Sequence, residues 1–385
     1  MTHNVTVIAQ PGLQHYLSKE LRERFGHDPY PVSSLPAVTV TLTTNELLRV
    51  AYLAQMPQRI TLTLENSSFN NTQDITLTDQ EALNHLRNSS YRVSCDRVGD
   101  HDFTSVDVEK RVGGQLTDHG HTNIDLTTPD NTVYVYVKDN AYHIGLDIAG
   151  RDLSKRQYKV FSSNNGINAT LGYAFIQHCD ISDDSRVVNP FSRDGVIPIE
   201  TALDHKGVSV NHYDRDFKLD SLNILDFFTI DDKLDEIDGA LSQSNTEIHC
   251  YDRDFRNLKA QKKNAKIAGV EDHMAFSRFE PEYIDLKFDD FQVDLIYGRP
   301  KTPSRQFPED KLRNVYHDLF RYGKYVLKQS GKMIFLVRDD ELLLDMANQF
   351  TLKETNRTTI RYRHLEYEAI TLEREHPDAL EATHL

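Results

Sequence analysis

Cationic side chains are in short supply in this chain of 385 residues: 44 Lys and Arg stand against 59 Asp and Glu, a formal net charge of −15. Phosphate contacts need Lys and Arg, so the balance weighs against nucleic-acid binding unless basic residues are gathered locally. An acidic remainder would then serve solubility. Cysteine is scarcer still. Cys95, Cys179 and Cys250 lie far apart and match no metal or disulfide spacing. No metal site is expected, and the three read as buried apolar side chains in a reduced, cytoplasmic setting. No apolar run approaches the roughly 18 residues that cross a bilayer. The opening Met1-Thr2-His3-Asn4 lacks the basic and apolar regions of a signal peptide, so no membrane role is expected.

What is present suffices for a folded protein of two or three domains, since hydrophobic residues make up 38% of the chain. Val5, Val7 and Ala9 alternate as in a strand, Pro11-Gly12 break it, and Leu13, Leu17 and Leu21 follow at helical spacing. Gly26 stands where that helix should end. Tyr91–Val93 reads as a strand, and Val108, Val112 and Leu116 mark one helix face. In Thr132–Lys138, Val133, Val135 and Val137 alternate with Tyr134 and Tyr136. This first half has α+β character.

From about residue 166 the rhythm changes. Helices over 168–179, 257–268 and 310–328 alternate with strands over 186–188, 247–251, 293–297 and 332–337. That alternation predicts a parallel, doubly wound sheet. Residues 204–245 interrupt it with ten acidic and four basic residues, a local balance of −6, and are expected to form a surface insertion. The pentapeptide at 213–217 recurs at 251–255, with no wider similarity to suggest a repeat. Between the halves, Arg151, Lys155, Arg156 and Lys159 surround Asp152, with Tyr158 among them. Such a segment suits phosphate contacts and a stacking ring, or else it is a solvated linker.

Three stretches between Tyr91 and Lys159 resemble the THUMP domain of RNA-modifying enzymes: YRVSCDRVGDHDFTSVDVEKRVGGQL, NIDLTTPDNTVYVYV and HIGLDIAGRDLSKRQYKV. The opening VTVIAQPGLQHYLSKELRERFG resembles the ferredoxin-like region that precedes THUMP in its methyltransferase members. In the second half, VVNPFSRDGVIPIETAL, IHCYDRDFRNLKAQKKNAKIAGVED and VDLIYGRP resemble the RNA guanine-N2 methyltransferases that carry THUMP. The resemblance implies a ferredoxin-like region over 1–60, THUMP over 61–165 and a class I, Rossmann-like methyltransferase domain over 166–385. It implies S-adenosylmethionine as cofactor and RNA, in particular tRNA, as partner. It also adds Arg97 to the basic segment as a candidate RNA contact.

The family's cofactor turn matches here as Asn189, Pro190, Phe191 and Gly195, but Arg193 stands where the family has its first glycine. Glycine there lets the backbone approach a cofactor, so an arginine puts binding in question. Asp252 falls at the family's ribose-binding acid, and Glu280 at the acid that contacts the adenine, with Asp285 near enough to compete. The catalytic loop departs further. After Asp294, where the family reads Asn-Pro-Pro-Tyr or Phe, the chain has Arg299-Pro300-Lys301-Thr302. Only Pro300 survives. Arginine has donors and no acceptor, so Arg299 cannot replace an asparagine carbonyl that holds the target amine, and Thr302 cannot stack on a base. The expectations are therefore two: an active guanine-N2 methyltransferase, or a non-catalytic RNA-binding protein on the same scaffold, working with a protein partner. A dinucleotide-dependent oxidoreductase would leave the THUMP resemblance unexplained.

Overall fold

A computed structural model of the chain describes residues 1–78, 82–163, 166–225, 229–278, 284, 286–303 and 307–375. It divides into one unit made of Met1–Lys155 with Asn211–Ala240 and another made of Arg156–Val210 with Leu241–Leu385. Among the described residues each unit is built on one seven-stranded sheet.

The first unit opens with the expected strand and helix, β1 (Thr2–Ala9) and α1 (Gln14–Glu23). Gly26 takes φ +72° and its N–H donates to the Arg22 carbonyl, ending the helix as glycine readily does. The chain continues through β2 (Tyr30–Pro31), β3 (Ala37–Thr43), α2 (Thr44–Leu53), β4 (Pro57–Ser68), β5 (Tyr91–Val98), α3 (Ser105–Asp118), β6 (Asn131–Lys138) and β7 (Ala141–Asp147). Thr43 and Glu46 cap α2 reciprocally, as Thr104 and Asp107 cap α3, each satisfying two otherwise orphaned donors. The sheet order is β2-β3-β1-β4-β7-β6-β5, with only β5 and β6 parallel. Val108, Val112 and Leu116 form the buried face of α3, as their spacing predicts. The valines and tyrosines of β6 are all buried, so both faces of that strand are covered. The expected division after residue 60 falls inside β4, which pairs with β1 on one side and β7 on the other. The ferredoxin-like and THUMP parts therefore share one sheet.

The second unit begins with α4 (Ala169–Ile176), capped by Asn168, then β8 (Arg186–Asn189) and α5 (Val196–His205). The chain then leaves it, and the central part of the acidic stretch, including α6 (Ile230–Ala240), belongs to the first unit. This corrects the expectation of an insertion on the second domain. The reason is charge compensation. Arg215 pairs with Asp235 at 2.5 Å and Asp238 at 2.6 Å, Tyr52 donates to Asp238, and Asn211 donates to the Ala51 and Tyr52 carbonyls at the end of α2. The second unit resumes with β9 (Glu247–Asp252), α7 (Phe255–Ala268), β10 (Met274–Arg278), β11 (Val293–Gly298), α8 (Glu309–Val326), β12 (Leu327–Val337), α9 (Glu341–Gln349), β13 (Leu352–Tyr362) and β14 (Leu365–Arg374). Its strand order is β10-β9-β8-β11-β12-β14-β13, parallel except where β14 runs against β12 and β13. Leu312, Tyr316, Leu319, Phe320 and Val326 line the buried face of α8 against Ile296, Met333 and Phe335. Each such large side chain contributes about 1.5–3 kcal/mol by leaving water. The order reverses between β8 and β11, which opens a crevice at their carboxyl ends, the usual ligand position in such sheets.

Candidate functional site

The turn from β8 into α5 floors that crevice. Asn189 Oδ1 accepts the Phe191 N–H at 3.0 Å, and Ser192 donates its N–H and hydroxyl to the Tyr251 carbonyl at 3.1 and 2.8 Å. Phe191 packs into the core. Pro190 is buried beside it. Gly195 sits at φ +87°, where an added Cβ would lie 2.8 Å from Gln261 Cβ, so only glycine fits. Asn264 locks the turn from below, donating to the Asp194 and Phe161 carbonyls at 2.8 Å each.

Arg193 occupies the heart of the turn in a left-handed conformation, φ +51°. Its N–H donates to Asp252 Oδ2 at 3.0 Å, and its guanidinium reaches across to the Pro300 carbonyl at 3.2 Å. The side chain thus straps the loop after β8 to the loop after β11. Burial, with Arg299 adding to it, pushes the guanidinium pKa down to about 10, so it remains charged at neutral pH. Burial also lowers the Arg299 pKa, with the Tyr367 ring, 5.7 Å away, opposing and Arg338 reinforcing the shift.

Asp252 ends β9, only 6% exposed. Besides Arg193, it accepts from the Asp254 N–H at 2.8 Å and the Asn257 amide at 3.1 Å. A carboxylate offers about four acceptor positions, so these three donors leave little for a pair of ribose hydroxyls. Asn189 Nδ2, by contrast, is a buried donor with no hydrogen-bond partner among the described residues, and the Gln261 amide has neither its Nε2 donor nor its Oε1 acceptor paired there. Asn189, Gly195 and Asp252 are the residues that would hold the family's cofactor, with the Arg193 side chain lying across them in this arrangement. Arg193 and Arg299 bring two guanidinium groups to this end of the sheet, and Asp252 is engaged by three donors.

Other expected site residues fall elsewhere. Asp294 lies at the start of β11, the end opposite the crevice, where it accepts the Arg186 N–H at 2.9 Å and pairs with Lys328 at 2.6 Å. Glu280 and its competitor Asp285 lie outside the described residues. Most cations of the basic segment are engaged within the protein. Arg156 is buried and grips Glu200 with two hydrogen bonds of 2.9 and 3.1 Å, while Tyr158 donates to the same carboxylate at 2.7 Å. Arg151 pairs with Asp214 at 2.7 Å over the Phe217 ring, and Lys159 donates to the Ile167 carbonyl. Of that segment's cations, Lys155 is exposed. Arg97 is half-buried against His101 and the Gly99 carbonyl. The three cysteines are buried with their thiols pushed up, Cys95 to about 12. Among the described residues no metal-binding cluster occurs, and no helix is long and apolar enough to cross a membrane.

Sequence reasoning missed a cavity of about 550 Å³ at the same strand ends, lined by Arg253, Asp254, Phe255, Arg278 and Lys301. The recurring pentapeptide at 251–255 held three of these residues, but its first copy is bound up in ion pairs, so the repetition itself carried no signal.

The strand order and the glycine turn define a class I, Rossmann-like methyltransferase fold, preceded by a THUMP sheet. Residues 156–367 match the RMKL-like methyltransferase domain and residues 74–147 the THUMP domain; the chain belongs to the RMKL-like methyltransferase family. A tRNA (guanine(6)-N2)-methyltransferase of Methanocaldococcus jannaschii is 27% identical over 279 residues, 69% of this chain and 72% of that protein. One from Thermus thermophilus is 34% identical over 254 residues, 66% of this chain and 64% of its own. The solved structure of TrmN from Thermus thermophilus shares the fold with a TM-score of 0.68 at 20% identity, covering 97% of this chain and 100% of that one.

Proposed function

We propose that the chain is an S-adenosylmethionine-dependent tRNA methyltransferase acting on the N2 amine of guanine. The observation that carries this reading is the pairing of a THUMP match with a methyltransferase match in one chain, together with similarity over most of the chain to relatives named for that activity. The retained Asp252 and Gly195 at the strand ends support it. In this reading tRNA is the partner, with Lys155 and Arg97 as candidate phosphate contacts, and the Arg193 strap opens before the cofactor enters. The contact between Arg193 and Pro300, with Arg299 beside it, favours a second reading: a tRNA-binding protein without transfer activity.

Radiolabelled methyl transfer to bulk tRNA separates the two. The first reading expects slow incorporation at guanine by the unaltered protein and a gain of tenfold or more in Arg193→Gly, whose crevice is open. No incorporation by either protein, with tRNA binding retained, would establish the second.

A further inference from the structure

The helix α7 carries Arg256, Lys259, Lys262, Lys263 and Lys266 and no acid, in a chain with 59 acidic residues against 44 basic ones. It buries Gln261, Asn264, Ala265 and Ala268, and every exposed residue after Phe255 is Arg or Lys. None of the four lysines lines the cavity at the strand ends. No carboxylate pairs with their ammonium groups among the described residues. Asp254, at the helix start, is taken by Arg256 at 2.8 Å, and Glu271 and Asp272 come after Gly269 has ended the helix.

The helix itself gains little from this pattern. Lys259 and Lys263, like Lys262 and Lys266, stand four residues apart, where like charges destabilise a helix. Lys266 alone stands in the last turn, where the helix dipole favours a cation. The lysines are nevertheless held in place. Those at 259, 262 and 263 put their ammonium groups 4.7, 5.6 and 4.5 Å from the ring centroids of Phe255, Phe276 and Phe161. Asn264 fixes Phe161 in turn, accepting its N–H at 3.0 Å and donating to its carbonyl at 2.8 Å. Cations positioned in advance lose less freedom on binding.

Seven residues from Lys259 to Lys266 span about 10 Å along the helix axis, so the charges match a run of phosphates rather than a single anion. The exposed face offers no apolar centre of the kind a protein partner buries. We propose that this face of α7 binds the sugar–phosphate backbone of RNA, and is the local gathering of basic residues that RNA binding by so acidic a chain requires. The inference rests on RNA as the partner and not on methyl transfer.

Fluorescence anisotropy of labelled bulk tRNA with the full chain, between about 50 and 200 mM salt, tests it. Lys262→Gln combined with Lys263→Gln and Lys266→Gln is compared with Lys311→Gln, Lys332→Gln and Lys353→Gln, which remove the same charge from α8, β12 and β13. Each lost phosphate contact lowers the slope of log affinity against log salt by about 0.7–0.9. The α7 variant should therefore lose about two units of slope and bind roughly tenfold more weakly or worse, while the control stays near the unaltered chain. Melting curves show that each is folded, and the α7 variant should melt no lower, since repulsion is relieved. A slope unchanged in the α7 variant, or reduced equally in the control, overturns this surface and leaves the RNA reading standing. No tRNA binding by the unaltered chain overturns both. Polyglutamate bound as tightly as tRNA through the same lysines overturns RNA as the occupant.

Discussion

Arg156 is buried and Arg193 half-buried, both in the second unit, and they leave water on different terms. Arg156 lies against Glu200, with both ends of its fork engaged and Tyr158 completing the carboxylate's shell. Arg193 faces a backbone carbonyl and has a second guanidinium for a neighbour. The first is a compensated charge that joins the start of the unit to α5. The second stands in a strained backbone conformation where a glycine would be comfortable. Arg156 holds a carboxylate with two arms of its fork, while Arg193 turns its guanidinium to a backbone carbonyl, and that asymmetry separates scaffold from site.

The largest effect expected from breaking this contrast is at Glu200. Glu200→Ala leaves the Arg156 guanidinium and the Tyr158 hydroxyl buried without their partner. Removing one member of a buried ion pair costs about 3–5 kcal/mol. Urea unfolding of the full chain should show that loss, and Arg156→Met combined with Glu200→Leu should recover much of it. A loss under 1 kcal/mol in Glu200→Ala would mean that the pair is not a compensated anchor.

His143 represents a third way to bury a titratable group, by keeping it neutral. Its ring bonds to Thr61 Oγ1 at 2.8 Å and Asn66 Oδ1 at 2.7 Å, and burial pushes its pKa down to about 3. The unfolded histidine titrates near 6.5. Between these values the unfolded chain binds more protons, so stability falls as pH drops below about 6.5. At about 1.4 kcal/mol per unit, the contribution by pH 5 is roughly 2 kcal/mol. Carboxylates also titrate in acid, so the useful quantity is a difference. His143→Asn should lose about 2 kcal/mol less than the unaltered chain between pH 7.5 and 5, and parallel losses would show that the ring is not held neutral.

Much of the fold was legible because its signals are local. The spacing of Val108, Val112 and Leu116 identified a helix face. Apolar runs such as Val187-Val188 and Leu295-Ile296 identified parallel strands. The antiparallel edge formed by β13 and β14 was not read, since the long β13 is largely exposed and its polar residues mask the pattern. Charges were the least legible feature. Arg151 and Arg156 looked like a phosphate surface because their carboxylate partners, Asp214 and Glu200, lie more than forty residues away in sequence. The place of the acidic stretch was hidden for the same reason, as its anchors on Tyr52 and Ala51 are non-local. The crevice was legible through its departures: arginine at a glycine position pointed to Arg193, although nothing in the sequence reported its reach to Pro300.

The smallest effect concerns Arg193 itself, where strain and charge are separable. Arg193→Ala removes the guanidinium but keeps a Cβ at φ +51°, whereas Arg193→Gly removes both. A left-handed conformation costs a residue with a Cβ about 1–2 kcal/mol. Glycine gives back part of this through its freer unfolded chain, on the order of 0.5–1 kcal/mol. The glycine variant should therefore be more stable than the alanine variant by about 0.5–1 kcal/mol. The unaltered chain should lie close to the alanine variant, because losing the bond to Pro300 is offset by relieving repulsion from Arg299. Urea midpoints of the three proteins at low and high salt test both halves. If alanine equals glycine, the turn is not strained by its side chain. If the arginine exceeds alanine by more than about 2 kcal/mol, a range typical of hydrogen bonds to charged groups, the strap is a structural tie like Arg156, and the contrast between the two arginines fails.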